Sequence, residues 1–105
     1  MTDGNLDDAH DLMPAELAAE IPALYATQND DDPIARVKFF TPDSNWTWYV
    51  AELDPEDRLC FGLVDGHERE FGYFSLDELE EVRGPLGLKI ERDLYWRPTP
   101  LSKCP

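Results

Sequence analysis

The residues able to do chemistry in this chain are few, and their contexts decide what they can do. Cys60 and His67 flank an Asp65-Gly66 turn signal, with Asp65 and Glu68 close in sequence. A thiol, a base and an orienting carboxylate are the minimum for a nucleophilic site. Cys60, however, stands between Leu59 and Phe61 in an apolar run, and His67 stands in the turn. The pair therefore reads as an inert core thiol and a solvent-facing imidazole. His10 lies among acids at the N-terminus without a companion. Asp30-Asp31-Asp32 lacks the alternating ligands and central glycine of a calcium loop, and Asp77, Glu78, Glu80 and Glu81 have no histidine at metal spacing. Such runs are the usual composition of a solvated acidic face. Gly84-Pro-Leu-Gly87 follows a helical pattern instead of opening one and carries no lysine or serine after it, so it is no phosphate loop. No catalytic residue, metal ligand or cofactor site is assigned, and the chain reads as a non-enzyme.

The charge balance is more informative. Twenty-three acidic residues against nine basic ones leave a net charge of -14 on 105 residues. A surface this negative repels phosphate backbones and attracts cationic macromolecules, so direct nucleic-acid binding is disfavoured and a basic protein is the expected partner. Solubility, or adaptation to high salt, is the plainer use of the same charge. The two cysteines, Cys60 and Cys104, have neither the number nor the spacing of a disulfide framework or zinc site. No stretch nears the roughly 20 apolar residues of a membrane helix. Asp3, Asp7, Asp8 and Asp11 occupy the place where a signal peptide carries positive charge, and a cytoplasmic protein is expected.

The elements that must position these residues follow from patterning. Residues 1–13 are acidic and without apolar periodicity, which predicts a disordered tail contributing nothing to the core, followed by a single domain over 14–105. Pro14 suits the first turn of a short helix whose apolar side is Leu17, Ala18 and Ile21, stopped by Pro22. Strands are predicted over 34–40, 46–54, 59–64 and 70–74, joined by the turn chemistry of Thr41-Pro-Asp-Ser-Asn45, Pro55-Glu-Asp57 and Asp65-Gly66. Ser75 and Glu78 form a capping box for a second helix, buried through Leu76, Leu79 and Val82 and closed by a left-handed Gly84 before Pro85. A fifth extended segment is predicted over 90–96, ending in a stiff Pro98-Thr-Pro100 tail. The sum is an α+β fold: a four- to five-stranded antiparallel meander, curled or barrel-like, with two short helices.

Strict alternation places Trp46, Trp48 and Val50 on one face of the second strand and Thr47, Tyr49, Ala51 and Leu53 on the other, so this strand is apolar on both sides and central. Two short helices can cover one face of such a sheet. The other face must be closed by curvature and the C-terminal segment, or stay exposed for a partner.

Ile21-Pro-Ala-Leu-Tyr25-Ala-Thr, Val37-Lys-Phe-Phe-Thr-Pro42, Trp46-Thr-Trp-Tyr49, Phe71-Gly-Tyr-Phe-Ser-Leu76 and Val82-Arg-Gly-Pro85, followed by Ile90-Glu-Arg-Asp-Leu94, occur in an order that resembles the domain of unknown function 2958 family, from about Met13 to Ser102. The resemblance implies a small bacterial protein often carried by plasmids and other mobile elements, and implies no activity or catalytic residues. On these grounds the expected function is a non-enzymatic acidic protein that docks on a basic partner, in its specific form a nucleic-acid mimic or counter-defence factor. Expected anchors are Trp46, Trp48, Tyr49, Tyr73 and Trp96, with Asp77, Glu78 and Glu81 supplying charge. Two alternatives are a sheet that binds single-stranded nucleic acid or a peptide strand, and a metal-dependent hydrolase or nuclease accessory using clustered carboxylates.

Overall fold

The structure, a computed structural model, describes residues 6–105. The meander is present. Strands β1 (Ile34–Ala35), β2 (Val37–Phe40), β3 (Thr47–Asp54), β4 (Leu59–Asp65), β5 (Arg69–Ser75), β6 (Glu91–Arg92) and β7 (Thr99–Pro100) form two antiparallel sheets. The larger has five strands in the order β5-β4-β3-β2-β6, and the smaller pairs β1 with β7. The five-stranded sheet is open, with β5 and β6 at its edges. The predicted strand over 34–40 is divided at Arg36, and its two halves serve different sheets. The Pro98-Thr-Pro100 segment is docked as β7 instead of projecting as a tail.

Helices α1 (Leu6–His10), α2 (Ala15–Ala18) and α3 (Leu76–Glu81) accompany the sheet. Three helices form where two were expected, and the extra one corrects the reading of the N-terminus. Leu12, just past α1, is 1% exposed and belongs to the main core with Phe39, Trp48 and Leu76. The Arg92 guanidinium of β6 donates to the carbonyls of Asp8 (3.2 Å), which also accepts from Asp11 N–H, and of Asp11 (2.9 Å), fastening the end of the helix to the sheet. Leu6, Ala9, Leu12 and Met13 fall at helical spacing, a signal masked by the density of acids around them. Residues 1–5 of the expected tail lie outside the described residues.

Ser75 caps α3 as its sequence predicts, its hydroxyl accepting from Glu78 N–H at 3.3 Å, and Leu76 and Leu79 are buried. The helix ends sooner than expected. Val82 is already extended and exposed, and among the described glycines the left-handed one is Gly87, at φ 84°, instead of Gly84. Asp43 explains the difference, because its carboxylate accepts from the N–H groups of Leu86 (2.8 Å) and Leu88 (3.4 Å) and so sets the path of this loop. A Cβ on Gly84 would lie 1.7 Å from Asp43 Oδ1.

The decisive irregularity is in β3. Its register with β4 shifts between Val50 and Glu52, so Ala51 is the extra residue of a bulge. Downstream of a bulge the side chains change faces. Leu53, expected beside Tyr49 and Ala51, instead joins Val50, Cys60 and Phe74 in the helix-covered core, and Glu52 moves to the opposite face. That opposite face carries a second cluster of Tyr49, Ala51, Leu63, Leu101 and Cys104, with Trp96 against it.

Gly62 and Gly72 face one another across β4 and β5. A Cβ on Gly62 would sit 1.7 Å from the Tyr49 carbonyl oxygen, a backbone atom that cannot yield, whereas one on Gly72 meets nothing within 4 Å. Gly62→Ala should therefore cost about 3 kcal/mol or more, as overpacking does, while Gly72→Ala should be neutral or slightly stabilising. Urea unfolding of both variants measures this. Equal midpoints would contradict the register.

Arg58, at φ 55° in the β3–β4 turn, donates to Asp77 and, at 2.6 Å, to Glu80, tying that turn to α3. The hydrogen bond from Arg58 holds the Glu80 carboxyl below its usual range. A carboxyl depressed in the folded state contributes fully above its unfolded value, about 4.3, and that contribution is lost as pH falls through the lower, folded value. The stability gap between wild type and Arg58→Met should shrink as pH drops below about 4. A gap unchanged from pH 7 to 3 would remove this linkage.

Candidate functional site

The face of the sheet that the helices leave uncovered holds the candidate site. β4 and β5 alternate so that Phe61, Phe71 and Tyr73 share this face, and their register sets Phe61 opposite Tyr73 and Leu63 opposite Phe71. The C-terminal segment covers Leu63 and Tyr49 but stops short of the outer rings. Phe71 is 62% exposed and Tyr73 51%. Tyr25, 61% exposed, reaches the same patch from the loop before β1. The rings touch in sequence: Tyr25 meets Tyr73 edge-on at 6.5 Å, Tyr73 meets Phe61 at 5.0 Å, and Phe61 stacks near Phe71 at 6.5 Å.

Glu52 is what brings Tyr25 there. Its carboxylate is 2% exposed, one oxygen accepting from Tyr25 N–H at 2.7 Å and the other from Thr27 N–H at 2.9 Å and from the Thr27 hydroxyl. Charge-assisted bonds of this kind are roughly twice as strong as neutral ones. They hold Tyr25 at φ 70°, a left-handed conformation that non-glycine residues adopt only when their surroundings impose it. Between this loop and the sheet lies a cleft of about 300 Å³ whose walls include Tyr25, Phe61, Phe71 and Tyr73, with Glu52, Asp30 and Asp31 as its carboxylates. The Tyr73 phenol is pushed above its ordinary value by desolvation first, then by its bond to the Tyr25 hydroxyl and by the charges of Tyr25 and Glu52. Aromatic faces beside carboxylates attract cations, through the negative ring quadrupole and through charge.

Of the anchors expected from sequence, Tyr73 alone belongs to this patch. Trp48 and Tyr49 are core residues on opposite faces of β3 and present no surface to a partner. Trp46 is half-buried, stacked on Trp48 at 5.9 Å with His67 edge-on at 5.3 Å. Trp96 is half-buried against Tyr49, its indole N–H donating to the Ala35 carbonyl at 3.0 Å. Asp77, Glu78 and Glu81 are exposed on α3, where Asp77 is ion-paired with Arg58. The expected set therefore does not converge. Sequence reading missed Tyr25, Phe61, Phe71 and Glu52; the signal for the last was a lone carboxylate inside an otherwise apolar central strand.

The thiol reading is settled by position. Cys60 is the second residue of β4 and His67 lies past its far end, roughly 20 Å away at about 3.3 Å per residue. Burial pushes the Cys60 thiol up to about 12. Among the described residues no group of three or more His, Cys, Asp or Glu side chains is placed to share a metal ion, and no helix is long and apolar enough to cross a membrane.

Fold and site together define an α+β protein with an open antiparallel sheet, helix-covered on one face and presenting acidic aromatic surface on the other. The chain belongs to the family described as protein of unknown function (DUF2958), whose model matches residues 10–103. No curated protein and no solved structure matches it. The match begins at His10 and so takes in the buried Leu12.

Removing the Glu52 carboxylate strands the buried Thr27 N–H and the part-buried Tyr25 N–H. Glu52→Ala should cost about 2–6 kcal/mol, at about 1–3 kcal/mol for each of the two N–H groups, and should abolish hydrogen-exchange protection at the Tyr25 and Thr27 amides. Persistent protection at both would show that the loop holds without the carboxylate.

Proposed function

We propose that this chain is a non-enzymatic binding protein that receives a basic protein partner on the Tyr25, Phe61, Phe71 and Tyr73 face. The single observation that carries the proposal is the contiguous row of rings, three of them more than half exposed, around a cleft walled by Glu52, Asp30 and Asp31. Exposed aromatic clusters of this kind are the usual energetic centre of a protein interface, and the surrounding acid selects a cationic partner while steering its approach. The net charge of -14 supports the specific form of a nucleic-acid mimic that occupies a DNA-binding surface, as a counter-defence factor carried by a mobile element would. The two free cysteines suit a cytoplasmic setting.

Stacking of single-stranded nucleic acid on the same rings is opposed by the carboxylates beside them, since backbone phosphates would have to approach Asp30, Asp31 and Glu52. The test uses the full chain as bait in a bacterial extract, beside Phe71→Ser/Tyr73→Ser, whose substituted side chains are exposed. Wild type should retain basic proteins at 50 mM salt and release them at 500 mM, the double variant should lose at least tenfold of that retention, and a labelled oligo-dT should not bind. Equal retention by the variant, or retention indifferent to salt, would overturn the proposal.

A further inference from the structure

The geometry points to a second component of that site, the open edge of β5: we infer that an extended, cationic segment of the partner adds to the sheet there as a sixth strand. The inference rests on the binding reading above and specifies how the partner is held. β5 is a seven-residue edge strand with an unbroken register to β4, and it has none of the proline, lysine or bulge that natural edges use against pairing.

Its backbone direction is fixed by two bonds, one at each end of the hairpin. Leu76 N–H donates to the Arg58 carbonyl at 2.9 Å, and Gly66 N–H to the Glu68 carbonyl at 3.1 Å. In an antiparallel ladder alternate residues turn both backbone groups toward the partner strand. Residues 68, 70, 72, 74 and 76 therefore face β4, and the N–H and C=O groups of Arg69, Phe71, Tyr73 and Ser75 point out from the edge. An added strand would pair with this row, as in other cases of β-augmentation.

The two faces flanking that edge say which side chains such a strand carries. Opposite Phe71 and Tyr73 its side chains would emerge on the aromatic face, where the rings and the carboxylates of Glu52, Asp30 and Asp31 favour arginine or lysine. Opposite Gly72 its side chain would emerge on the other face. There the missing Cβ leaves open space beside a cleft of about 340 Å³ whose walls include Trp46, Val64, Glu68, Glu70, Phe71 and Gly72. An apolar residue fits against the Trp46 ring, giving the alternation cation, apolar, cation. Arg69, the cation within β5, is engaged by Asp65 at 3.0 Å and by the carbonyls of Cys104 and Pro105, so it does not repel such a segment. A second copy of this chain is the wrong occupant, because pairing two β5 edges would bring together two chains of charge -14.

The test titrates the full chain with a synthetic peptide containing Thr-Arg-Leu-Arg-Thr, with the same peptide N-methylated at the amides that would pair, and with the arginines replaced by glutamate. Binding should protect the outward amides of Phe71 and Tyr73 from hydrogen exchange. N-methylation should weaken binding at least tenfold, and the glutamate peptide should not bind. Gly72→Val, which fills open space and leaves the fold intact, should weaken binding at least fivefold. Equal binding of the methylated and unmodified peptides would overturn strand addition while leaving the docking face standing. Failure of both arginine peptides to bind at 50 mM salt would overturn both. Dimers at 500 mM salt that protect the same amides without peptide would assign the edge to self-pairing and overturn the inference.

Discussion

A single backbone irregularity determines what this protein presents to its surroundings. The bulge at Ala51 turns Glu52 out of the helix-covered core and onto the opposite face of β3. There its carboxylate is the acceptor around which residues 25–27 are wound. A buried carboxyl group is tolerable only when its oxygens find donors, and two backbone N–H groups and a hydroxyl supply them here. The same bonds set Tyr25 in its left-handed conformation beside Tyr73. Without the bulge, alternation would carry Glu52 into the apolar cluster of Trp48, Val50 and Phe39.

The two faces of the sheet accordingly have different chemistry. On one, α1, α2 and α3 bring Leu12, Ile21, Leu76 and Leu79 over Phe39, Trp48 and Val50, and this is the main core. On the other, the segment from β7 to Pro105 lies over Tyr49 and Leu63, fastened by Arg69 to the Cys104 and Pro105 carbonyls and by Asp32 to Ser102. That strap reaches β5 only at Arg69, its first residue, and leaves Phe71 and Tyr73 exposed. Phe71 and Tyr73 remain outside it because the sheet is wider than its cover, and the exposed edge of β5 is part of the same shortfall.

Much of the fold was legible in the sequence. The four central strands, the turns between them, the Ser75 cap and the antiparallel order follow from alternation and local hydrogen-bonding chemistry, which act within a few residues. The docking of Leu12, the splitting of the 34–40 strand at Arg36 and the change of face at Leu53 do not, because each is decided by contacts distant in sequence. The candidate site was legible only at Tyr73. Counting aromatic residues favoured the tryptophans, yet Trp48 is spent on the core and Trp46 and Trp96 are half-covered, while the exposed rings sit on the edge strand and on a loop whose position depends on Glu52.

The most direct test of this account is the set of nuclear Overhauser contacts made by the Leu53 methyl groups in solution. A bulge at Ala51 requires contacts from Leu53 to the helix-covered side, to Cys60 and Phe74, with Tyr25 and Tyr73 ring protons in mutual contact on the other face. Contacts from Leu53 to Tyr49 and Leu63 instead would mean that β3 alternates without interruption, and that Glu52 neither holds the Tyr25 loop nor borders the aromatic cleft.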